Sequence, residues 1–317
     1  DDAAGELALE LIADRHEGGV GAAEAERHAE ALAVADRDIG AGLTGGLFAA
    51  RLGHSTLIIV PLMIGGQLAT IGAIEDFPGF PEGVAGYDLG PIIQEQAVAA
   101  GAQFRMVDAT GLASSGAGWR VNTTDGAIDA SAVIIATGSS PRMLNVPGEE
   151  RFTGQGISHC ASCDGPLLKG KRIVIVGAGD SGLQEALTLT TWAQSIVLIE
   201  QSPRPSAQAS YLKRANDNAK IQIHCDYIVD AILGSDAILG SDAIEGVQAR
   251  QRLTGELTRV DADAVFVYAG LAPNTQWLSG AVELDPRGYI LTDLQMRTQR
   301  PGLFAAGDVR ADSASQA

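Results

Sequence analysis

The sequence predicts an α/β protein of two three-layer nucleotide-binding units, each a mostly parallel sheet between helices. Three observations predict it. Two G-x-G-x-x-G strings open helices, Gly40-Ala-Gly42-Leu-Thr-Gly45 and Gly177-Ala-Gly179-Asp-Ser-Gly182. Apolar, β-branched runs alternate with helical stretches, the pattern of βαβ units. Glycine is in excess, 39 of 317 residues or about 12% against a usual share of about 7%, which suits tight turns and close helix–strand packing.

Taken in order, residues 1–33 are rich in Ala and Glu and read as a helical extension, with helices over 6–16 and 22–34. The strand ahead of the first fingerprint reads Ala35-Asp-Arg-Asp-Ile39, charged where a buried strand should be apolar. A helix runs on through 47–52, and a strand over 56–60 ends on Val60, where a ribose-binding acid is expected. Gly65-Gly66-Gln67 opens an irregular stretch containing Phe77-Pro-Gly-Phe-Pro81. A helix over 87–100 follows, then strands near 103–107, 119–123 and 132–136, the last running into Thr137-Gly138. The second unit has a strand over 172–176, the second fingerprint, a helix to about 193 and a strand over 196–199. A last segment from about 269 carries Gly307-Asp308. The string Asp230-Ala-Ile-Leu-Gly-Ser recurs from Asp236 and begins again at Asp242; it reads as a loop with slippage between strands. The expected division is 34–139 with 269–317 as one domain and 140–268 as the other.

Composition excludes several classes. A formal charge of −17 repels phosphate backbones, which argues against a nucleic-acid partner. No apolar run reaches the length of about 18 residues that a spanning helix needs. Three cysteines are too few for a secreted disulfide framework. The acidic N-terminus lacks a secretion signal pattern, so the cytoplasm is the expected location.

The second fingerprint carries the stronger signal, because Ile173-Val-Ile-Val176 precedes it as a buried-strand run. Its glycines permit the tight turn and the close approach of a pyrophosphate, and the helix N-terminus offers free N–H groups to that anion. A structural glycine turn is the alternative. Glu200 ends the next strand, where a carboxylate accepts hydrogen bonds from a ribose 2′-OH and repels a 2′-phosphate. Asp180 and Ser181 sit between the glycines and complete the set.

Cys160-Ala-Ser-Cys163 is the candidate redox centre. Two thiols at this spacing can close a small disulfide ring, one thiolate attacking an external disulfide and the other resolving the mixed disulfide. Half a zinc site and coincidence are the alternatives, but no second C-x-x-C is present. Asp164 follows directly and is a candidate acid–base group or a helix cap. His159 reads as structural, and Cys225 as a thiol without function.

From about Ile39 onward, the chain resembles the low-molecular-weight thioredoxin reductases and the flavoprotein subunit of alkyl hydroperoxide reductase. The stretches that carry the resemblance are Gly65-Gly-Gln-Leu68, Glu75-Asp-Phe-Pro-Gly-Phe80, Ala136-Thr-Gly138, Ser158-His-Cys-Ala-Ser-Cys-Asp-Gly165, Gly177-Ala-Gly-Asp-Ser181, Gly270-Leu-Ala-Pro-Asn-Thr275 and Gly302-Leu-Phe-Ala-Ala-Gly-Asp-Val309. The resemblance implies two Rossmann-like domains, with the NAD(P)-binding domain inserted in a two-segment FAD-binding domain. It implies that FAD is lined by the first fingerprint, Gly65, Gly66, Gln67, Asp76, Thr137, Gly138, Gly307 and Asp308. It implies that Cys163 lies nearest the flavin, Cys160 attacks the partner disulfide and Asp164 assists protonation. Electrons would pass from NADH or NADPH through FAD to a thioredoxin-like or peroxiredoxin-related protein, in a homodimer. NADPH-preferring members carry a His-Arg-Arg run where this chain has Glu200-Gln-Ser-Pro-Arg204, which favours NADH. The family continues past residue 317 through a flavin-contacting helix. A flavin-dependent dithiol oxidase and a catalytically impaired nucleotide-binding module are the competing functions.

Overall fold

A computed structural model gives the fold and describes residues 28–61, 66, 68–116, 118–235, 243–278 and 280–313. The helix expected over 6–16, the start of that over 22–34, and Gly65 and Gln67 lie outside the described residues. The chain divides into two compact units, Asp1–Ser140 with Ala272–Ala317, and Pro141–Leu271. No helix among the described residues is long and apolar enough to cross a membrane.

The first unit begins with β1 (His28–Ala35), α1 (Ile39–Arg51) and β2 (Thr56–Val60). Then come α2 (Gly86–Ala99), β3 (Gln103–Met106), β4 (Ala109–Ser115), β5 (Gly118–Thr123) and β6 (Gly126–Ala136). The sheet order is β3-β2-β1-β6-β5-β4. β1 runs parallel to both β2 and β6, with Val34 opposite Ile59 and Ile135.

β1 corrects the sequence reading. Residues 28–34 are strand, not the end of a helix, and Ala35 closes that strand instead of opening it. Alanine-rich runs score as helix on propensity, but tertiary burial outweighs propensity. Leu32 and Val34 pack with Ile59, Val133 and Ile135 on one face, while Ala31, Ala33 and Ala35 pack with Ile58, Ile134 and Leu43 on the other. Both faces are covered, as in parallel sheets generally. The charged run 36–38 is therefore the turn between β1 and α1, not a strand.

Two short segments join the units, β7 (Ser139–Pro141) and a later one. The second unit holds α3 (Glu149–Phe152), β8 (Ile157–Ser158), α4 (Ala161–Asp164), β9 (Arg172–Val176), α5 (Asp180–Leu189), β10 (Ser195–Glu200), α6 (Ala209–Asn216) and β11 (Ile221–Cys225). β12 (Tyr227–Ser235), β13 (Ala243–Gln251), β14 (Leu257–Asp261) and β15 (Ala264–Val267) follow. Its parallel sheet has the order β11-β10-β9-β15-β8. Ile173 and Ile175 of β9 pack under α5 with Leu183 and Phe266, and Val174 and Val176 pack on the opposite face with Val265 and Phe152. The alternation along one strand thus feeds two hydrophobic layers.

β12, β13 and β14 form a separate antiparallel sheet. The duplicated string is not a loop at its ends. Its first copy finishes β12 and its last begins β13, with Ser235 opposite Ala243. Residues 236–242 lie outside the described residues. The remaining strands are β16 (Leu271–Pro273), the second joining segment, and β17 (Leu303–Ala305), which runs parallel to β6 in the first unit.

Candidate active site and nucleotide sites

Cys160 and Cys163 form a disulfide, with Cα atoms 5.3 Å apart. Cys160 caps the N-terminus of α4, and its Sγ accepts the Cys163 N–H at 3.2 Å. An N–H aimed at that sulfur favours its ionised form once the disulfide is reduced. Cys160 is half-buried and Cys163 exposed. The turn is fixed from below, because the Cys160 N–H donates to Ser158 Oγ at 3.1 Å and the Asp164 N–H to the Cys160 carbonyl at 3.2 Å. Asp164 ends α4 directly after Cys163; it is half-buried and makes no side-chain cap. His159 Nδ1 lies 2.9 Å from the Val267 carbonyl oxygen, which ties it to β15. Cys225 is half-buried, and burial together with Glu200 and Asp226 pushes its thiol up. It is the less reactive for that.

Two residues behind the disulfide were not singled out by the sequence. Glu185, on α5, accepts the Ala161 N–H at 2.8 Å. Burial raises its carboxyl above the ordinary value, and that hydrogen bond opposes the rise. The Tyr268 hydroxyl is buried without a hydrogen-bond partner among the described residues. Burial pushes it upward, with the Glu185 and Asp164 carboxylates adding to the shift. Local spacing carries no trace of either, since each meets the C-x-x-C turn from a distant part of the chain.

The second fingerprint stands at the β9–α5 junction. A Cβ on Gly177, whose φ is +105°, would overlap the Tyr268 carbonyl, and one on Gly182 would overlap the Gly177 carbonyl. Both positions therefore require glycine. Gly179 is the N-cap residue of α5 and offers no side chain to it. Asp180 holds the following loop, accepting from the Gln208 N–H at 2.6 Å, and Ser181 is exposed in the first turn. Glu200 is buried at the end of β10. Its carboxylate accepts the Ala178 and Ser202 N–H groups, each at 2.8 Å. A carboxylate has about four acceptor sites, so two remain for ribose hydroxyls. These residues fit the ribose of a dinucleotide, and Arg204 is exposed nearby in sequence.

The first unit gathers its own set around the turn 36–38. A Cβ on Gly66 would stand 2.6 Å from the Arg37 carbonyl oxygen, and one on Gly138 2.6 Å from Asp38 N. One on Gly307 would overlap the Asp38 carboxylate. Thr137 and Asn274 bind each other through Thr137 Oγ1 to Asn274 O and Asn274 Nδ2 to Thr137 O, both at 2.8 Å. Asp76 is exposed, in the loop closed by the Ile74–Val84 bridge.

Gly40, Gly42 and Gly45 are not in that turn but inside α1. Gly42 is needed for packing, since a Cβ there would overlap Ala35 of β1, whereas a Cβ on Gly40 would make only an ordinary contact with Asp38 Oδ1, at 3.9 Å. Gly46 plays a similar packing part against Ile58. The cap residue is Asp38, which the sequence reading passed over. Its Oδ1 accepts the Ala41 N–H at 3.1 Å, and its Oδ2 accepts the Asp308 N–H at 2.7 Å. Burial raises this carboxyl, against the pull of those two amides. A diphosphate on the N-terminus of α1 would need the same amides. As folded, the seat does not fit one.

The chain matches a family model described as "Pyridine nucleotide-disulphide oxidoreductase" over residues 39–317. It is 35% identical to the thioredoxin reductase of Treponema pallidum (strain Nichols), covering 87% of this chain and 88% of that protein. It is 37% identical to the thioredoxin reductase of Mycolicibacterium smegmatis, covering 85% of each. Among solved structures, T. acidophilum thioredoxin reductase matches with a TM-score of 0.84 at 32% identity, over 92% of this chain and 93% of the other.

Proposed function

The chain belongs to the pyridine nucleotide-disulphide oxidoreductases, and from that premise we propose that Cys160–Cys163 passes electrons from NADH to the disulfide of a thioredoxin-like protein. It is a disulfide oxidoreductase of the thioredoxin reductase type, and membership implies FAD as well as a pyridine nucleotide. The single observation that carries the reading is the Cys160–Cys163 disulfide at the head of α4, directly followed by the half-buried Asp164.

The exchange chemistry follows from the turn. In the dithiol form, the Cys163 N–H stabilises a Cys160 thiolate. That thiolate attacks one sulfur of the partner disulfide, the partner S–S bond breaks, and the departing partner thiolate takes a proton, with Asp164 beside it as a donor. Cys163, as thiolate, then attacks Cys160 Sγ. The Cys160–Cys163 bond re-forms and the second partner thiolate leaves. Two electrons have moved to the partner. Glu185 holds the Ala161 N–H and thereby orients the turn. NADH is favoured because Glu200 stands where a 2′-phosphate would meet a fixed negative charge.

A trapping experiment tests the assignment. The Cys163→Ser protein, pre-reduced and mixed with oxidised thioredoxin, is expected to stall as a mixed disulfide on Cys160, visible as a mass increase. The Cys160→Ser protein should not stall. If only Cys160→Ser stalls, the roles proposed here are reversed. An oxidised peroxiredoxin in a parallel arm distinguishes the two partner classes.

One observation favours a second reading. The Asp38 carboxylate in the first unit suits a chain that holds pyridine nucleotide and a reducible disulfide but takes FAD weakly.

A further inference from the structure

The two units solve one geometric problem with opposite chemistry. In each, three residues connect a buried parallel strand to a helix. In the second unit they are Gly177-Ala178-Gly179, and the N-cap residue makes no side-chain cap. In the first unit they are Asp36-Arg37-Asp38, and the N-cap side chain turns back onto the helix. A glycine cap leaves the helix N-terminus open to an external anion; an aspartate cap supplies an internal one.

We propose that the Asp38 carboxylate is a built-in occupant of the diphosphate seat of the first unit, and that FAD binds this chain only by displacing it. The inference rests on the family reading for the identity of the ligand, and on this chain's own residues for the obstruction. Asp38 draws in two amides from separate parts of the chain, Ala41 on α1 and Asp308 after β17. The space that a Cβ on Gly307 would fill is taken by the carboxylate. The turn bears a second acid, Asp36, and one cation, Arg37. An incoming diphosphate would therefore lose the Ala41 and Asp308 N–H groups to a charge of its own sign. In the family reading, Gly307-Asp308 serves the flavin; here the Asp308 N–H serves Asp38 instead.

Direct titration with FAD, followed by flavin fluorescence, tests this on the whole chain. The Asp38→Ser protein keeps a residue that can cap a helix but loses the charge. It is expected to bind FAD at least tenfold more tightly than the unsubstituted chain, and Asp38→Asn should fall between them. The inference is overturned if Asp38→Ser binds no more tightly while its circular dichroism is unchanged. A second measurement needs no variant. The unsubstituted chain is expected to lose added FAD on gel filtration, and retention of one FAD per chain would overturn the inference. Flavin binding is the readout throughout, so a failure of dithiol exchange with thioredoxin counts against the functional reading and not against this one.

Discussion

Replacing Glu185 separates its hydrogen bond from its charge. Ala161 is fully buried, so its N–H has no route to water once the Glu185 carboxylate is gone. Leaving a buried donor unmet costs about 1–3 kcal/mol. Glu185→Ala should therefore lower the urea midpoint by roughly 1 M, taking a slope of about 2 kcal/mol per molar. Glu185→Gln keeps an acceptor at that position and should stay within about 1 kcal/mol of the parent. The pH dependence separates them further. Burial raises the folded-state carboxyl of Glu185 above its unfolded value. The folded chain then binds more protons than the unfolded one between those two values, so this group's contribution to stability falls as pH rises through that window. Gln lacks the titration, and Glu185→Gln should gain on the parent from pH 4 to pH 8. Urea unfolding by far-UV circular dichroism at both pH values gives the answer. Equal midpoints for the Ala and Gln proteins, or a Gln protein that loses ground as pH rises, would refute the reasoning.

Other expectations follow from the same geometry. Glu200→Gln should weaken NADH by about tenfold or more while leaving NADPH less affected, because a charge-assisted hydrogen bond is worth about 1.5–3 kcal/mol; equilibrium titration with each nucleotide decides, and an unchanged ratio would count against Glu200 as the discriminator. Gly307→Ala should destabilise the unsubstituted chain by more than the ~1–2 kcal/mol of a left-handed backbone alone, since its Cβ would overlap the Asp38 carboxylate. Combining it with Asp38→Ser should recover the excess in thermal melts, and strictly additive losses would argue that the two residues do not meet. Leu167 is 80% exposed, four residues past Cys163, and Leu167→Asp should slow thioredoxin reduction without changing reduction by a small dithiol; equal rates would argue that Leu167 does not meet the partner.

The first βαβ unit of the second domain was legible in sequence because its signals are local, whereas the antiparallel strands β12 to β14 were not read. Arg172–Val176 is a strand with the boundaries expected, and Gly177, Gly182 and Glu200 lie within one βαβ unit. The C-x-x-C turn needs only its own four residues to close. Glu185 and Tyr268 were illegible because their place depends on how α5 and the end of β15 pack on α4. That information is tertiary, and no window of sequence contains it. β4 was overlooked for a related reason: Ala109–Ser115 has small polar residues and only two buried positions, so it has no alternation to read until β5 pairs with it.

The first unit was misread by a signal that looked stronger than it was. Glycine spacing points to Gly40, Gly42 and Gly45, yet the packing shows why those glycines cannot be the turn: α1 has already begun at Ile39, and Gly42 is spent on Ala35 of β1. A competing signal was present in the same residues. An aspartate directly before an apolar helix start is a helix N-cap signature, and Asp38-Ile39 has that form. Reading the cap first places the turn at 36–38 and ends the preceding strand at Ala35, which in turn makes 31–35 an apolar strand end of Ala, Leu and Val. The cap thus fixes the register that glycine counting shifts. The two fingerprints also differ where function would be decided. In one, the helix end faces outward through glycine; in the other, it is closed by a side chain from the chain itself. Matching glycine spacing is therefore evidence of close helix–strand packing first. It becomes evidence of a bound diphosphate only when the residue at the cap leaves the amides free.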